Sequence, residues 1–129
     1  MHEERLSPEL GRLIDAAKIT ATRVDPTRAR TEVVGLLVST GAVYAAHADE
    51  DCSGTSASAA ESALNLARAA GESEVLTAVV TLAHDASDSV SPSHATCRSL
   101  AELDPELPVV IKQKGRWVML PVSRLHPSG

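Results

Sequence analysis

Apolar side chains follow two different periods along this chain, and the two periods predict its helices and strands. Between residues 7 and 23 they recur at three- and four-residue intervals, which is typical of a helix with one buried stripe. Ser7 is a favourable N-cap and Pro8 suits the first helical position, whereas Asp25-Pro26 ends the segment. The pattern therefore predicts an amphipathic first helix.

Shorter apolar runs bounded by turn residues predict strands. Five segments have this character: residues 32–39, 42–48, 75–82, 109–112 and 117–122. Thr40-Gly41 is a tight turn, so the first two strands are expected to form a hairpin, and Lys114-Gly115 is a turn between the last two. Gly35, inside the first strand, indicates that another element approaches the sheet closely at that point.

Two further helices are predicted between the strands. Residues 58–70 carry alanine on their apolar face, which lets a helix lie close to a sheet, and Gly71 is a natural C-cap. Residues 92–103 form the other helix, which ends at Asp104-Pro105, and the Asp- and Ser-rich residues 84–91 are expected to be an exposed loop. The order α-β-β-α-β-α-β-β predicts an α/β sheet covered by helices on both faces.

The chain of 129 residues is long enough for one domain with a buried core, and neither a linker nor an internal repeat divides it. We therefore expect a single domain over residues 1–129, with frayed ends at 1–6 and 124–129.

Composition and charge exclude several classes of function. The net charge is −5 and the Lys and Arg residues are scattered, which argues against a nucleic-acid partner and a polybasic membrane patch. No apolar run approaches the roughly 18 residues of a membrane-spanning helix, and the first ten residues lack the apolar core of a signal peptide. Cys52 and Cys97 are too few for a disulfide framework, so a reduced, cytoplasmic location is expected. The two aromatic residues, Tyr44 and Trp117, offer little for stacking a planar base.

Several single residues and short motifs stand at fixed places relative to the predicted elements. They are Gly35, Gly54, Ala63-Leu64, Pro92, Cys97-Arg98, the LAEL of residues 100–103 and the SRLHP of residues 123–127. Together with the order of elements, this set resembles the cytidine deaminase superfamily, specifically the small nucleoside deaminases, over residues 7–126. The family pattern has a loop N-x-E-N-x-x-x-G, a helix opened by C-A-E or H-A-E, and a later helix opened by P-C-x-x-C-R. The resemblance implies a three-layer α-β-α fold around a five-stranded mixed sheet, and association into homodimers or homotetramers.

The first zinc-binding motif of the family is changed in this chain. Aligned without a gap, Ser58 stands at the first zinc ligand and Ala60 at the catalytic glutamate. A shift of one residue places Ala59 and Glu61 there instead. The ligand is lost in either alignment, and which residue takes the place of the glutamate stays open.

The second motif and the polar loop are changed as well. Cys97 matches the later cysteine, and His94 stands three residues before it in place of the earlier one. Because Ser93 follows Pro92, the motif is one residue longer than in the family. The N-x-E that reads the ribose in the family becomes His47-x-Asp49.

A hydrolytic deaminase needs three protein ligands on zinc, a position for water and a carboxylate that moves protons. His94 and Cys97 could supply two ligands from one helical turn. The third would have to come from the preceding loop, from Cys52 or His47, because Ser58 is a poor ligand. We therefore expect no metal and no other cofactor, and a zinc site, if one exists, would use His94, Cys97 and Cys52.

Each of these residues has both a chemical and a purely structural explanation. Glu61 is the candidate proton shuttle, but Ser58-x-x-Glu61 is also a capping box, in which the serine caps the helix and the glutamate reaches back. Cys97, near a helix N-terminus, is a candidate nucleophile or redox thiol, or else a small buried hydrophobe. His94 can be a surface residue and Asp49 part of a solvated loop.

Two functional hypotheses remain. We favour a deaminase-fold protein without zinc-dependent deamination, because the first ligand and the glutamate are both changed. It would act as a homo-oligomeric scaffold or bind a nucleoside-like small molecule through His47, Asp49, Cys52, Ser58 and Arg98. In the family, the arginine contributes to the site wall or to a subunit contact. The alternative is an enzyme, either a nucleoside-type deaminase with an unusual zinc site or one that uses the same pocket for other chemistry.

Overall fold

The computed structural model describes residues 8–24, 31–50, 56–72, 74–83 and 90–125. Its elements, in chain order, are α1 (Pro8–Thr22), β1 (Glu32–Val38), β2 (Val43–His47), β3 (Asp49–Glu50), β4 (Ser56–Ala57), α2 (Ala59–Ala69), β5 (Val75–Leu82), α3 (His94–Leu103), β6 (Pro108–Gln113) and β7 (Arg116–Pro121), followed by a 3-10 turn (Val122–Arg124). The predicted order of three helices and five main strands is confirmed. The pair of two-residue strands β3 and β4 was not predicted.

The five main strands form one mixed sheet in the order β2-β1-β5-β6-β7. Strands β1, β2 and β5 pair antiparallel, as do β6 and β7, whereas β5 and β6 run parallel across the α3 crossover. The predicted hairpin of β1 and β2 is therefore present, and β2 and β7 are the two edges of the sheet.

Helices cover both faces of the sheet, as the three-layer prediction requires. On one face α1 packs its apolar stripe on the sheet, in a core made by Leu13, Ile14, Ala17, Val24, Val33, Leu37, Val79, Ala83 and Val110. On the other face α2 and α3 pack side by side, in a core that includes Val34, Leu36, Ala60, Ala63, Leu64, Ala78, Val80, Leu100, Val109 and Ile111. Alternate residues of β1 and β5 thus enter opposite cores, because successive side chains of a strand point to opposite faces.

Gly35 lies where α1 crosses β1. A Cβ atom at this position would lie 3.0 Å from Cγ1 of Val79 and 3.2 Å from Cδ1 of Leu13. The close approach predicted for this glycine is confirmed, and it sets how near α1 comes to the sheet.

Turn and cap residues act largely as the sequence predicts. Gly71, at φ +85°, follows the C-cap of α2, and its amide and that of Glu72 donate to the last carbonyls of the helix. Lys114 and Gly115 both have positive φ in the turn between β6 and β7. Helix α3 begins at His94, two residues later than predicted, because Ser93 is its N-cap.

The end of the described chain corrects one expectation. A frayed tail was expected from residue 124, yet Leu125 is only 8 % exposed and packs in the core beside α3. The predictions for Ser7, for residues 1–6 and 25–26, and for most of the loop at 84–91 fall outside the described residues. None of the described helices is long and apolar enough to cross a membrane.

Candidate functional site

The start of α2 is closed by its own side chains. The Ser58 hydroxyl accepts a hydrogen bond from the Glu61 amide (3.1 Å), and the Ser58 amide donates to a Glu61 carboxylate oxygen (3.2 Å). This is the predicted capping box. Ala59 and Ala60 are fully buried beneath it. The Glu61 carboxylate at this helix start is therefore already hydrogen-bonded to a backbone amide.

The start of α3 is closed by a carboxylate from another element. Glu32, at the first position of β1, accepts hydrogen bonds from the Ser93 amide (2.9 Å), the Ser93 hydroxyl (3.1 Å) and the Thr96 hydroxyl (2.5 Å). The Ser93 hydroxyl in turn accepts from the Thr96 amide (3.2 Å). A carboxylate is favourable here because the N-terminus of a helix carries partial positive charge.

Sequence reasoning missed Glu32 because it appeared only as the first residue of a strand. The signal lay in the helix start. Ser93 directly follows Pro92 and Thr96 stands three residues after Ser93, which is the spacing of P-C-x-x-C. The alignment that pairs His94 with Cys97 needs one additional residue after the proline. The structure joins the side chains of Ser93 and Thr96 through one carboxylate. Thr96 is fully buried, so its hydroxyl needs such a partner.

His94, Cys97 and Arg98 lie in the first half of α3 and differ in exposure. His94 and Arg98 are exposed, whereas Cys97 is half-buried against the core under α2 and α3. Burial raises the pKa of the Cys97 thiol, and the charge of Glu32 raises that pKa further. The neutral thiol is therefore favoured, which opposes the thiolate that a metal or a nucleophilic step requires.

The described residues do not fit a zinc ion. Within ranges 8–24, 31–50, 56–72, 74–83 and 90–125, no three His, Cys, Asp or Glu side chains are grouped closely enough to hold a metal. The Ser58 hydroxyl is bound in its cap and the hydroxyls at the start of α3 donate to Glu32. Cys52, the third ligand considered from the sequence, lies outside the described residues.

His47 faces a different part of the molecule from the two helix starts. Its register partner is Val33, whose side chain belongs to the core under α1. Opposed residues of an antiparallel pair share a face, so His47 points towards α1. Its Nδ1 donates to the carbonyl of Ala48 (2.8 Å), since a carbonyl only accepts.

The ligand-binding role predicted from sequence for His47, Asp49, Cys52, Ser58 and Arg98 stays a prediction in the part of the chain that the structure describes. No hydrogen bond there joins His47, Ser58 and Arg98 to one another. Asp49 belongs to the short strand β3, and Cys52 lies beyond the described ranges. What the structure adds is a groove of about 350 Å³ beside His47, lined by Thr20, Arg23, Ala45, Ala46, His47, Ser62 and Leu66.

Tyr44 has a structural role at the opposite end of β2. Its hydroxyl donates to Glu72 (2.9 Å), which also accepts from the Thr40 hydroxyl (3.0 Å). The hydrogen bond to this carboxylate, with lesser contributions from burial and from its negative charge, raises the pKa of Tyr44. This cluster fastens the β1–β2 turn to the end of α2 and leaves the tyrosine little freedom to stack on a ligand.

Comparison with known proteins identifies the fold. No family model and no curated protein matches this chain. Among solved structures, it is similar to the 1.6 Å crystal structure of cytidine deaminase from Burkholderia pseudomallei, with a TM-score of 0.74 and 25% sequence identity. The match covers 91% of this chain and 95% of that one. The chain therefore has a cytidine deaminase-like fold over nearly its whole length.

Proposed function

We propose that this deaminase-fold protein has lost zinc-dependent deamination, and that it acts as a homo-oligomeric subunit that binds a small molecule or serves as a scaffold. The observation that supports this most strongly is the hydrogen bonding of Glu32 to Ser93 and Thr96 at the start of α3. The resemblance places the metal of an active enzyme at the starts of these two helices.

Hydrolytic deamination depends on a metal that generates hydroxide and on a nearby carboxylate that transfers protons. At the start of α3, two hydroxyls with the C-x-x-C spacing donate their hydrogen bonds to a carboxylate. A zinc ligand must instead offer a lone pair, as thiolate and imidazole do. Zinc would have to displace Glu32 from its three donors and would gain only two weak ligands in return.

The carboxylate half of the mechanism is compromised too. Ala60 is fully buried and cannot transfer protons, and Glu61 is hydrogen-bonded to the Ser58 amide at the helix cap. Each helix start has its own serine as an N-cap, which accepts from the Glu61 amide in α2 and from the Thr96 amide in α3, so neither start needs a metal for this hydrogen bond.

The oligomeric part of the proposal rests on the resemblance to the small nucleoside deaminases, whose members associate into dimers or tetramers. Ile19 and Met119 are each about half exposed, at 54% and 47%, and are apolar side chains that a contact between subunits would cover.

The test is the zinc content of protein purified without chelators, measured by inductively coupled plasma mass spectrometry, together with cytidine and deoxycytidine deamination. We expect far less than one zinc per chain and no turnover after incubation with zinc. One zinc per chain together with turnover would overturn the proposal.

A matched variant tests the explanation. Replacing Glu32 by Ala together with Ser58→Cys, Ser93→Cys and Thr96→Cys removes the competing carboxylate and supplies three thiols at the two helix starts. If this variant is folded by circular dichroism, we expect it to bind zinc where the unmodified protein does not.

A further inference from the structure

The groove beside His47 runs across the outer edge of β2, between the end of α1 and the middle of α2. Strand β2 pairs only with β1 in the five-stranded sheet, so its other edge is open to this groove. The lining combines Thr20, Arg23 and His47 on the side of α1 with Ser62 and Leu66 on α2, over a floor of Ala45 and Ala46. No residue of α3 contributes, and on α2 the lining begins at Ser62, after the Ser58–Glu61 capping box.

The lining of the groove includes a positively charged side chain, Arg23, and no negatively charged one. Arg23 is exposed and has no ion pair among the described residues, and none of the lining residues carries a carboxylate. An unpaired guanidinium presents a planar fork of donors that matches the oxygens of a carboxylate or phosphate.

The remaining polar atoms suit an anion with a small body attached. In the neutral ring, Nδ1 of His47 carries the proton that it donates to the Ala48 carbonyl, so Nε2 is an acceptor that suits a donor group on the attached body rather than the anion itself. Thr20 and Ser62 add hydroxyl donors, while Ala45, Ala46 and Leu66 offer an apolar wall. The volume of about 350 Å³ is at the small end of the range for sites that take small molecules.

We infer that this groove binds a small molecule with one phosphate or carboxylate group, which Arg23 recognises, attached to a compact body that lies on the alanine floor. The inference rests on the ligand-binding role proposed above and gives it a location and a ligand class. It places the ligand at the open edge of β2, between α1 and α2.

Amide chemical shifts in ¹H–¹⁵N spectra of the full chain test this, with inorganic phosphate and isobutyrate as separate probes and sodium chloride at equal ionic strength as the reference. We expect saturable shifts at residues 20, 23, 47 and 62, with a Kd on the order of 1–10 mM for such minimal probes. The stronger of the two responses identifies phosphate or carboxylate as the preferred group.

Arg23→Ala should weaken the response about tenfold or more, as expected when a charged hydrogen-bond donor is lost. Arg68→Ala is the matched control, because Arg68 is likewise an exposed arginine but is not part of the groove. The inference would be overturned if the Arg23→Ala and Arg68→Ala variants gave equal shifts on addition of the probe. Shifts that do not saturate, or that change with protein concentration rather than probe concentration, would overturn it as well. Those results would leave the zinc-free proposal standing, whereas stoichiometric zinc with turnover would refute that proposal and leave the measured groove binding unchanged.

Discussion

Glu32 shows how much a single residue can contribute from outside the element it serves. It begins β1, yet its carboxylate accepts three hydrogen bonds from the first turn of α3, 61 to 64 residues later in the chain. Hydrogen bonds to a charged acceptor are stronger than neutral ones, and a buried donor left without a partner is costly. Burial is the larger cause of the raised pKa of the Cys97 thiol, and the negative charge of Glu32 raises that pKa further.

Replacing Glu32 by alanine should lower the free energy of unfolding by about 2–3 kcal/mol, because it leaves the buried Thr96 hydroxyl and the Ser93 donors unpaired. Urea denaturation at neutral pH measures this. Glu102→Ala, which removes an exposed glutamate of α3, is the control and should change stability by less than about 0.5 kcal/mol.

A double-mutant cycle of Glu32→Gln with Thr96→Val separates the hydrogen bond from general effects of either change. We expect a coupling energy of about 1 kcal/mol or more. Strict additivity would show that the Glu32–Thr96 hydrogen bond does not contribute to stability.

Cys97 should react slowly with iodoacetamide. A raised pKa leaves less thiolate at a given pH, so the midpoint of its alkylation rate should lie above that of an ordinary thiol. In a Cys52→Ser background, Glu32→Gln removes the charge and should shift the midpoint to lower pH, although burial keeps it raised. If Glu32 is intact in the Cys52→Ser background and the alkylation midpoint of Cys97 lies at or below that of cysteine in a short peptide, Cys97 is an activated thiol instead.

At the scale of elements, the layer of α1 on the sheet depends on one missing side chain. Gly35 lets Leu13 and Val79 meet over β1, and a Cβ there would be as near as 3.0 Å to its neighbour. The sequence identified this glycine from its place inside an apolar run, but only the packed structure names the residues it accommodates.

Gly35→Ala should destabilise the protein by about 1–3 kcal/mol, because the inserted methyl forces α1 or Val79 to move. Gly11→Ala is the matched comparison, since a Cβ at Gly11 meets no atom within 4 Å and the position lies in helix α1. That change should stabilise the protein by up to about 1 kcal/mol. Thermal unfolding of both variants measures the contrast, and a neutral Gly35→Ala would mean that α1 is not held against the sheet at this point.

Local sequence signals were enough to place some helix boundaries. The capping box of α2 and the glycine after its end were visible in the sequence, because caps involve residues only a few positions apart. The start of α3 was placed two residues early, at Pro92, since its N-cap Ser93 could equally have been read as part of the helix.

At the scale of the whole molecule, the three layers follow from the alternation of helical and strand periods, and the similarity to a cytidine deaminase of known structure agrees with them. The doubly buried strands β1 and β5 are what a sheet covered by helices on both faces requires.

The protein should sediment as a dimer or tetramer, at two or four times the 13.5 kDa mass of the chain, because exposed apolar side chains such as Ile19 and Met119 gain from contacts between subunits. Sedimentation equilibrium over a range of concentrations measures this. A monomer at every concentration tested would remove the homo-oligomeric part of the proposed function.

The sequence by itself determined the fold class and the order of the elements, because these depend on periodicity and on residues that are near one another in the chain. It also predicted the capping of α2 by Ser58 and Glu61. Only the tertiary structure decided that Glu32 closes the start of α3, and that His47 faces α1 beside Arg23 rather than the helix starts. Both depend on contacts between elements distant in sequence, and on which face of β2 each side chain takes once the strand is paired in the sheet.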